Sequence, residues 1–349
     1  MRYVVGVMGP AKARRRDIEN ARLLGELIAP PGGGRRDTGG GGQPHHEAIG
    51  AQRSLLDGRS AVMAHYLIAR RYTAGLLIML ALVQTACVTN PYTGRWQFLS
   101  VPQSYEMSMG EQSYAQVLHD PNNPISHDPR EVQPVERVAE RIIQVAKRSK
   151  YEKAANEFKW EVSVIKSDQT ANAFALPGGK IAVYTGLFPV AKNEAGLAAV
   201  MGHEVVHALA RHGGERMSQS IVTKIAMVGA AIGLGSSGMG PATSQAAMGA
   251  LGLGAQVGVL LPFSRKHESE ADYIGLLFAA EAGYDPREAV RVWERMEAAG
   301  GEQPSEFMST HPSHGTRIEQ LTEWMPEALA LYESAPKAPG SDLPPIGRR

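Results

Sequence analysis

The stretch Met201-Gly202-His203-Glu204-Val205-Val206-His207-Ala208-Leu209-Ala210-Arg211-His212 reads as one helix carrying two histidines four residues apart and a glutamate between them. Positions i and i+4 of a helix lie on one face, a turn apart. Two imidazoles so placed can share a metal ion, and Glu204 beside them can reach a water bound to it. The pattern fits a hydrolytic zinc centre with His203 and His207 as ligands and Glu204 as general base. The other reading, an ordinary core helix, fits the surroundings less well. Leu197, Ala198, Val200, Met201, Val205, Val206 and Leu209 make the helix apolar almost all round, so burial is expected. Unpartnered His, Glu and His would be costly inside. Asn193 can cap the start, and Gly213-Gly214 are expected to stop the helix just after Arg211 and His212, where cations suit the dipole.

Composition narrows the rest. A net charge of +1 and 6% aromatic residues give no basic, base-stacking surface, so no nucleic-acid partner is expected. Cys87 is the only cysteine, which excludes an internal disulfide and a cysteine-built zinc site. Any metal must be held by histidines and carboxylates.

Residues 1–62 are arginine- and glycine-rich with little helical or strand period, and read as a disordered arm or as a mis-assigned extension ahead of a start at Met63. From Met63 a basic segment with Arg70 and Arg71, an apolar run Thr73–Val83 and Gln84-Thr85-Ala86-Cys87 follow. That is the layout of a signal peptide over 63–86. The apolar run is short for a membrane span of ~20 residues. A cysteine at the end of such a run resembles a bacterial lipoprotein signal, with Cys87 lipidated, although Gln84 stands where those signals usually have Leu. This reading places the protein at the periplasmic face of a bacterial outer membrane, or free in the periplasm without the lipid.

Residues 87–128 are expected to be a polar linker with a helical patch near Met107–Leu118, and 129–333 the working domain. Val135, Val138, Ile142, Ile143 and Ala146 fall at helical spacing within Glu131–Lys150. Trp160–Ile165 and Lys180–Thr185 alternate as strands, with Asn172-Ala-Phe-Ala-Leu-Pro-Gly-Gly179 between them. They read either as an ordinary hairpin or sheet edge, or as an edge that pairs with an extended peptide beside the metal helix. Residues 225–264 form an apolar, glycine-rich insert, read as a lid or membrane-facing loop against plain core. The tail 334–349 is Pro-rich and expected to be disordered.

After the insert comes Arg265-Lys-His-Glu268-Ser-Glu270-Ala-Asp272. On a helix Glu268 and Asp272 share a face and Glu270 points elsewhere. A two-histidine zinc centre takes a third ligand, often Glu, so Glu268 is the candidate, and Asp272 one turn on can fix a ligand imidazole. Asp285-Pro286-Arg287-Glu288 starts a helix running to about Ala299. The loop Ser309–Ile318 then offers His311, His314 and Arg317, candidates to stabilise a developing oxyanion.

These residues resemble the gluzincin metalloendopeptidase family of HtpX and the type I CAAX prenyl proteases, in particular its soluble-domain, periplasmic lipoprotein branch. The resemblance spans about Asn90 to Leu331. It rests on Met109-Gly-Glu-Gln, Asn172-Ala-Phe-Ala-Leu-Pro-Gly-Gly, His203-Glu-Val-Val-His207, Ser264-Arg265 with Glu268-Ser-Glu-Ala-Asp272, Gly283-Tyr-Asp-Pro286, and Thr310-His311-Pro312 followed by Arg317. It implies an α+β, mostly helical fold whose small sheet presents a substrate-binding edge strand next to the zinc helix. It implies one Zn²⁺ per chain on His203, His207 and Glu268, Glu204 as base, and His311 rather than His314 as the active-site histidine. Asp272 and Arg317 would support the ligands. Asn172, Ala173, Lys180, Ile181, Ala182 and Val183 would bind substrate along the strand Lys180–Thr185. In related members the His311 loop can cover the metal, leaving the site latent.

The expected function is zinc-dependent endoproteolysis of misfolded or unassembled cell-envelope proteins, with the membrane reached through the lipid and the 225–264 insert. The rivals are a membrane-anchored chaperone or assembly factor for outer-membrane proteins with a latent zinc site, and a metal-free structural lipoprotein.

Overall fold

The computed structural model describes residues 70, 87–236, 264–299, 307, 310, 311 and 315–346. The expected 1–62 extension, the 63–86 leader apart from Arg70, residues 237–263 of the insert and His314 lie outside the described residues. All but Arg70 fall within one unit, Gly75–Arg349. In chain order, an antiparallel ribbon of β1 (Cys87–Thr89) and β2 (Trp96–Phe98) leads to α1 (Gln103–His119), α2 (Pro129–Ala146) and α3 (Glu152–Glu157). Then come β3 (Glu161–Ile165), β4 (Ala173–Leu176), β5 (Lys180–Tyr184), the short α4 (Phe188–Ala191) and α5 (Glu194–Leu209). The helices α6 (His212–Ser236), α7 (Arg265–Glu281), α8 (Arg287–Ala299) and α9 (Arg317–Ser334) complete the order. The mostly helical α+β expectation holds.

Helix α5 is the centre of the core. Asn193 accepts a hydrogen bond from the Gly196 N–H (2.8 Å) and fixes its start. Every residue from Glu194 to Leu209 except Ala199 is buried. Helix α2 lays Val135, Val138, Ala139, Ile142 and Ile143 into the same core, as its helical spacing predicts. Helix α7 crosses α5 where glycine faces glycine. A Cβ on Gly202 would stand 2.8 Å from the Gly275 carbonyl oxygen, and one on Gly275 would stand 2.7 Å from the His203 nitrogen. Absence of both side chains lets the backbones approach and sets the ligand-bearing faces against each other.

Four expectations change. The helix at the core ends at Leu209, not at Gly213-Gly214, which lie inside α6. Arg211 takes a left-handed backbone (φ 58°), an unusual conformation for a residue with a side chain. Its guanidinium is held there by Glu106 (2.5 Å) and the Val101 carbonyl (2.7 Å). The two expected strands are not a hairpin: β3 pairs with β5 in parallel, and β4 forms between them in sequence. Gly178 and Gly179 (φ 90° and 86°) make the tight β4–β5 turn. The order is β3-β5-β4, so Lys180, Ile181, Ala182 and Val183 lie on the central strand, hydrogen-bonded on both sides, and not on an edge. The polar linker holds a helix longer than Met107–Leu118, the full α1. The Pro-rich tail, expected to be disordered, docks on the core. Ser341 accepts from the Glu194 N–H (2.9 Å), the Leu343 N–H donates to the Lys192 carbonyl (2.8 Å), and Leu343 is buried.

If the glycine crossing is needed, Gly275→Ala will lower the unfolding free energy by about 1–3 kcal/mol despite the better helix propensity of alanine. The measurement is the urea midpoint at unaltered slope. A variant as stable as the parent would remove the crossing from the account.

Candidate metal centre

Three elements meet at the buried end of α5. Helix α5 supplies His203, Glu204 and His207, α7 supplies Glu268 and Asp272, and the segment before α9 supplies His311. His203, His207, Glu268 and His311 each offer one ligand atom, all within 4.8 Å of one another and all buried. His203 Nε2 lies 3.0 Å from His207 Nε2 and 3.2 Å from His311 Nδ1. Glu268 Oε2 lies 3.5 Å from His203 Nε2, and Oε1 lies 3.4 Å from His207 Nε2 and 3.1 Å from His311 Nδ1. A tetrahedral ion with bonds of about 2.0–2.1 Å sets its ligand atoms about 3.3–3.4 Å apart. Most of these contacts, taken over both Glu268 oxygens, are close to that spacing, and the donor chemistry, three imidazoles and a carboxylate, suits zinc.

The supports are charged and dry. Asp272 Oδ1 lies 2.8 Å from His203 Nδ1, and Arg317 donates to Asp272 Oδ2 and Glu268 Oε2, both at 2.5 Å. Arg317 is 1% exposed, and its guanidinium stacks 3.8 Å above the Trp293 ring. Burial disfavours charge on His203, but Asp272 and then Glu268 outweigh it and push that imidazole up to about 10. Burial also opposes ionisation of Glu268, yet His203, His311 and His207 hold its carboxyl well below the usual range. Burial pushes the Glu204 carboxyl upward, partly offset by His311 and His203. A raised carboxyl is what a general base working near neutrality needs. Glu204 Oε1 has no hydrogen-bond partner among the described residues, with His311 Nε2 3.4 Å away.

The structure thus brings together His203, Glu204, His207, Glu268, Asp272, His311 and Arg317. His311 Nδ1 stands among the ligand atoms as a candidate fourth donor, the arrangement expected if its loop covers the metal and leaves the site latent. A filled fourth position is the geometry of a closed site. Asn172 and Ala173 lie at the sheet edge formed by β4, and the backbone of Ala175 hydrogen-bonds the Glu204 carboxylate. Lys180 pairs with Glu161 (2.8 Å), away from the metal group. Cys87 begins β1.

A second buried network was not foreseen. His212, His267, Glu215, Glu270 and Arg95 are linked behind His207. Glu270 points away from the ligand group, as its helix position implied, and meets His212 (3.1 Å), Thr93 and Arg95. Arg95 also binds Glu215 through Nη1 (2.8 Å) and Nη2 (2.9 Å), and His267 Nε2 lies 3.0 Å from Glu215. The one signal available beforehand was His212, five residues beyond His207.

Comparison with known proteins agrees with this geometry. The model of peptidase family M48 matches residues 129–325. The chain is 39% identical over 249 residues to the mitochondrial metalloendopeptidase OMA1 of Schizosaccharomyces pombe, covering 70% of this chain and 68% of that protein. It is 31% identical to the protein of the same name in Saccharomyces cerevisiae (70% and 71% covered). It is also 31% identical to the beta-barrel assembly-enhancing protease of Escherichia coli strain K12 (63% and 43%). These relatives correct the expected location: with mitochondrial enzymes among the most similar proteins, placement at a bacterial outer membrane is withdrawn. No helix of the described residues is long and apolar enough to cross a membrane.

Burial would raise Glu215, but hydrogen bonds from His267 and Arg95 prevail and hold it at about 2. A carboxyl depressed on folding contributes stability above its unfolded pKa of about 4.3 and loses it as pH falls through its folded value. In metal-free protein, Glu215→Gln should therefore cost about 1–3 kcal/mol at pH 7. The difference from the parent should shrink steadily between pH 4 and the folded pKa of about 2 when urea unfolding is repeated at low pH.

Proposed function

The chain belongs to peptidase family M48 and is a zinc metalloendopeptidase, and from that premise we propose that it cleaves unfolded or unassembled polypeptides presented in extended form, as a protein quality-control enzyme. The observation that carries this reading is β4. It is the edge strand on the α5 side of the sheet, and its Ala175 backbone touches the catalytic carboxylate. A free strand edge beside a general base selects chains that can lie extended, which folded proteins do not offer. One residue further on, Leu176 and Pro177 open into a groove of about 530 Å³ between α1 and α6. Tyr105, Met109, Met217 and Ile221 give it an apolar lining suited to side chains that a folded protein keeps inside.

His203, His207 and Glu268 would hold the zinc ion, which would supply Lewis acidity toward the scissile carbonyl and lower the pKa of a bound water toward ~7. Glu204 takes the proton of the attacking water, its raised affinity for a proton coming from burial. It then hands that proton to the departing amine, so the carboxylate is regenerated. Asp272 and Arg317 keep His203 and Glu268 oriented throughout. With zinc bound, His311 would be placed to take a fourth ligand position, so the resting site would be closed until His311 moved aside. The exposed Ile221, Val222, Ile225 and Val228 on α6 support contact with a lipid surface near the substrate groove. The rival reading, an assembly factor with a latent zinc site, draws on the same His311 position, and turnover separates the two.

Glu204→Gln should keep one zinc per chain and lose about 10²–10⁴-fold in casein cleavage. Undiminished cleavage would overturn the assignment of the base. His311→Ala should raise basal cleavage several-fold by opening the coordination position. Lower cleavage with zinc retained would instead return His311 to the role of a donor in the transition state.

A further inference from the structure

The two histidines of α5 are supported in different ways. His203 Nδ1 meets a carboxylate directly, Asp272 at 2.8 Å. His207 Nδ1 meets another imidazole, His212 Nδ1, at 3.0 Å, and both rings are buried. Two ring nitrogens at that distance require a proton between them. A neutral imidazole that ligates through Nε2 carries its hydrogen on Nδ1. His207 must then donate to His212 Nδ1, which leaves the His212 proton on Nε2, where Glu270 Oε2 accepts it at 3.1 Å. Glu270 is fixed in turn by the Thr93 hydroxyl and by Arg95, whose Nε lies 2.8 Å from Oε2. The opposite order, His212 donating toward His207, would put the His207 proton on the nitrogen that faces the metal. A carboxylate on the far side of His212 excludes that order.

We propose that His212, oriented by Glu270 and Arg95, is a positioning residue that locks His207 into its metal-ligating tautomer. His267 contributes by stacking on the His212 ring, with centroids 4.6 Å apart and planes at 20°, while Glu215 holds His267. The relay uses an imidazole where the usual support of a ligand histidine is a carboxylate, a carbonyl or water. It rests on the zinc centre assigned above.

The test is the Zn²⁺ dissociation constant of the full chain, measured by competition with a chromophoric chelator, together with thermal unfolding of the metal-free protein. His212→Phe keeps a flat ring against His267 but breaks both hydrogen bonds. Its zinc dissociation constant should rise by about 10–100-fold, with little change in the metal-free unfolding temperature. His212→Gln, with one acceptor and one donor about as far apart as the ring nitrogens, should recover most of that loss. An unaltered constant in His212→Phe, or a His212→Gln as weak as His212→Phe, would overturn the relay. Should His212→Phe fail to fold, Glu270→Gln takes its place: a several-fold weaker zinc constant supports the relay, and an unchanged one refutes it. The parent's own stoichiometry reports separately on the zinc centre, so a failure there is not mistaken for a failure of the relay.

Discussion

The crossing of α5 and α7 at Gly202 and Gly275 is the constraint on which the rest depends. Backbones that nearly touch leave no slack in the position of either helix, so His203 and His207 face Glu268 and Asp272 by construction. The penalty for burying so many ionisable groups is large, and four of the buried carboxylates have an answering cation: Arg317 for Asp272 and Glu268, Arg95 for Glu215 and Glu270. Zinc completes a set of donors that the two helices have already gathered.

How far the sequence could be read follows from how local each feature is. His203, Glu204 and His207 are one helical turn, and Glu268 and Asp272 are another, so spacing alone assigns them. The resemblance placed His311 and Arg317 at the site and implied that the His311 loop can cover the metal; spacing could not, because that depends on how a distant segment folds back. Sheet order is long-range as well. Alternation identified Lys180–Val183 as strand, yet nothing local says that β4 would form and take the edge from it. The early end of α5 was hidden because Arg211, not the glycines, takes the left-handed turn, held by Glu106 from α1. Tail docking, through Ser341 and Leu343, is made of backbone hydrogen bonds that composition does not register.

The same distinction applies to the relay behind His207. Helix periodicity correctly turned Glu270 away from the ligands, but gave no hint of what it turned toward. Its partners Thr93 and Arg95 lie far upstream, in the ribbon before the first long helix. A carboxylate that faces away from the ligand group is still costly to bury, and here Arg95 and His212 answer it.

Arg95 has a further consequence. The family match begins at residue 129, and a boundary drawn there would seem natural for the catalytic unit. Yet Arg95 lies well before it and bridges carboxylates on α6 and α7. A piece cut at residue 129 would lose Arg95 from between Glu215 and Glu270. The β1–β2 ribbon is tied into the enzyme by its charge, although the matched family model begins after it.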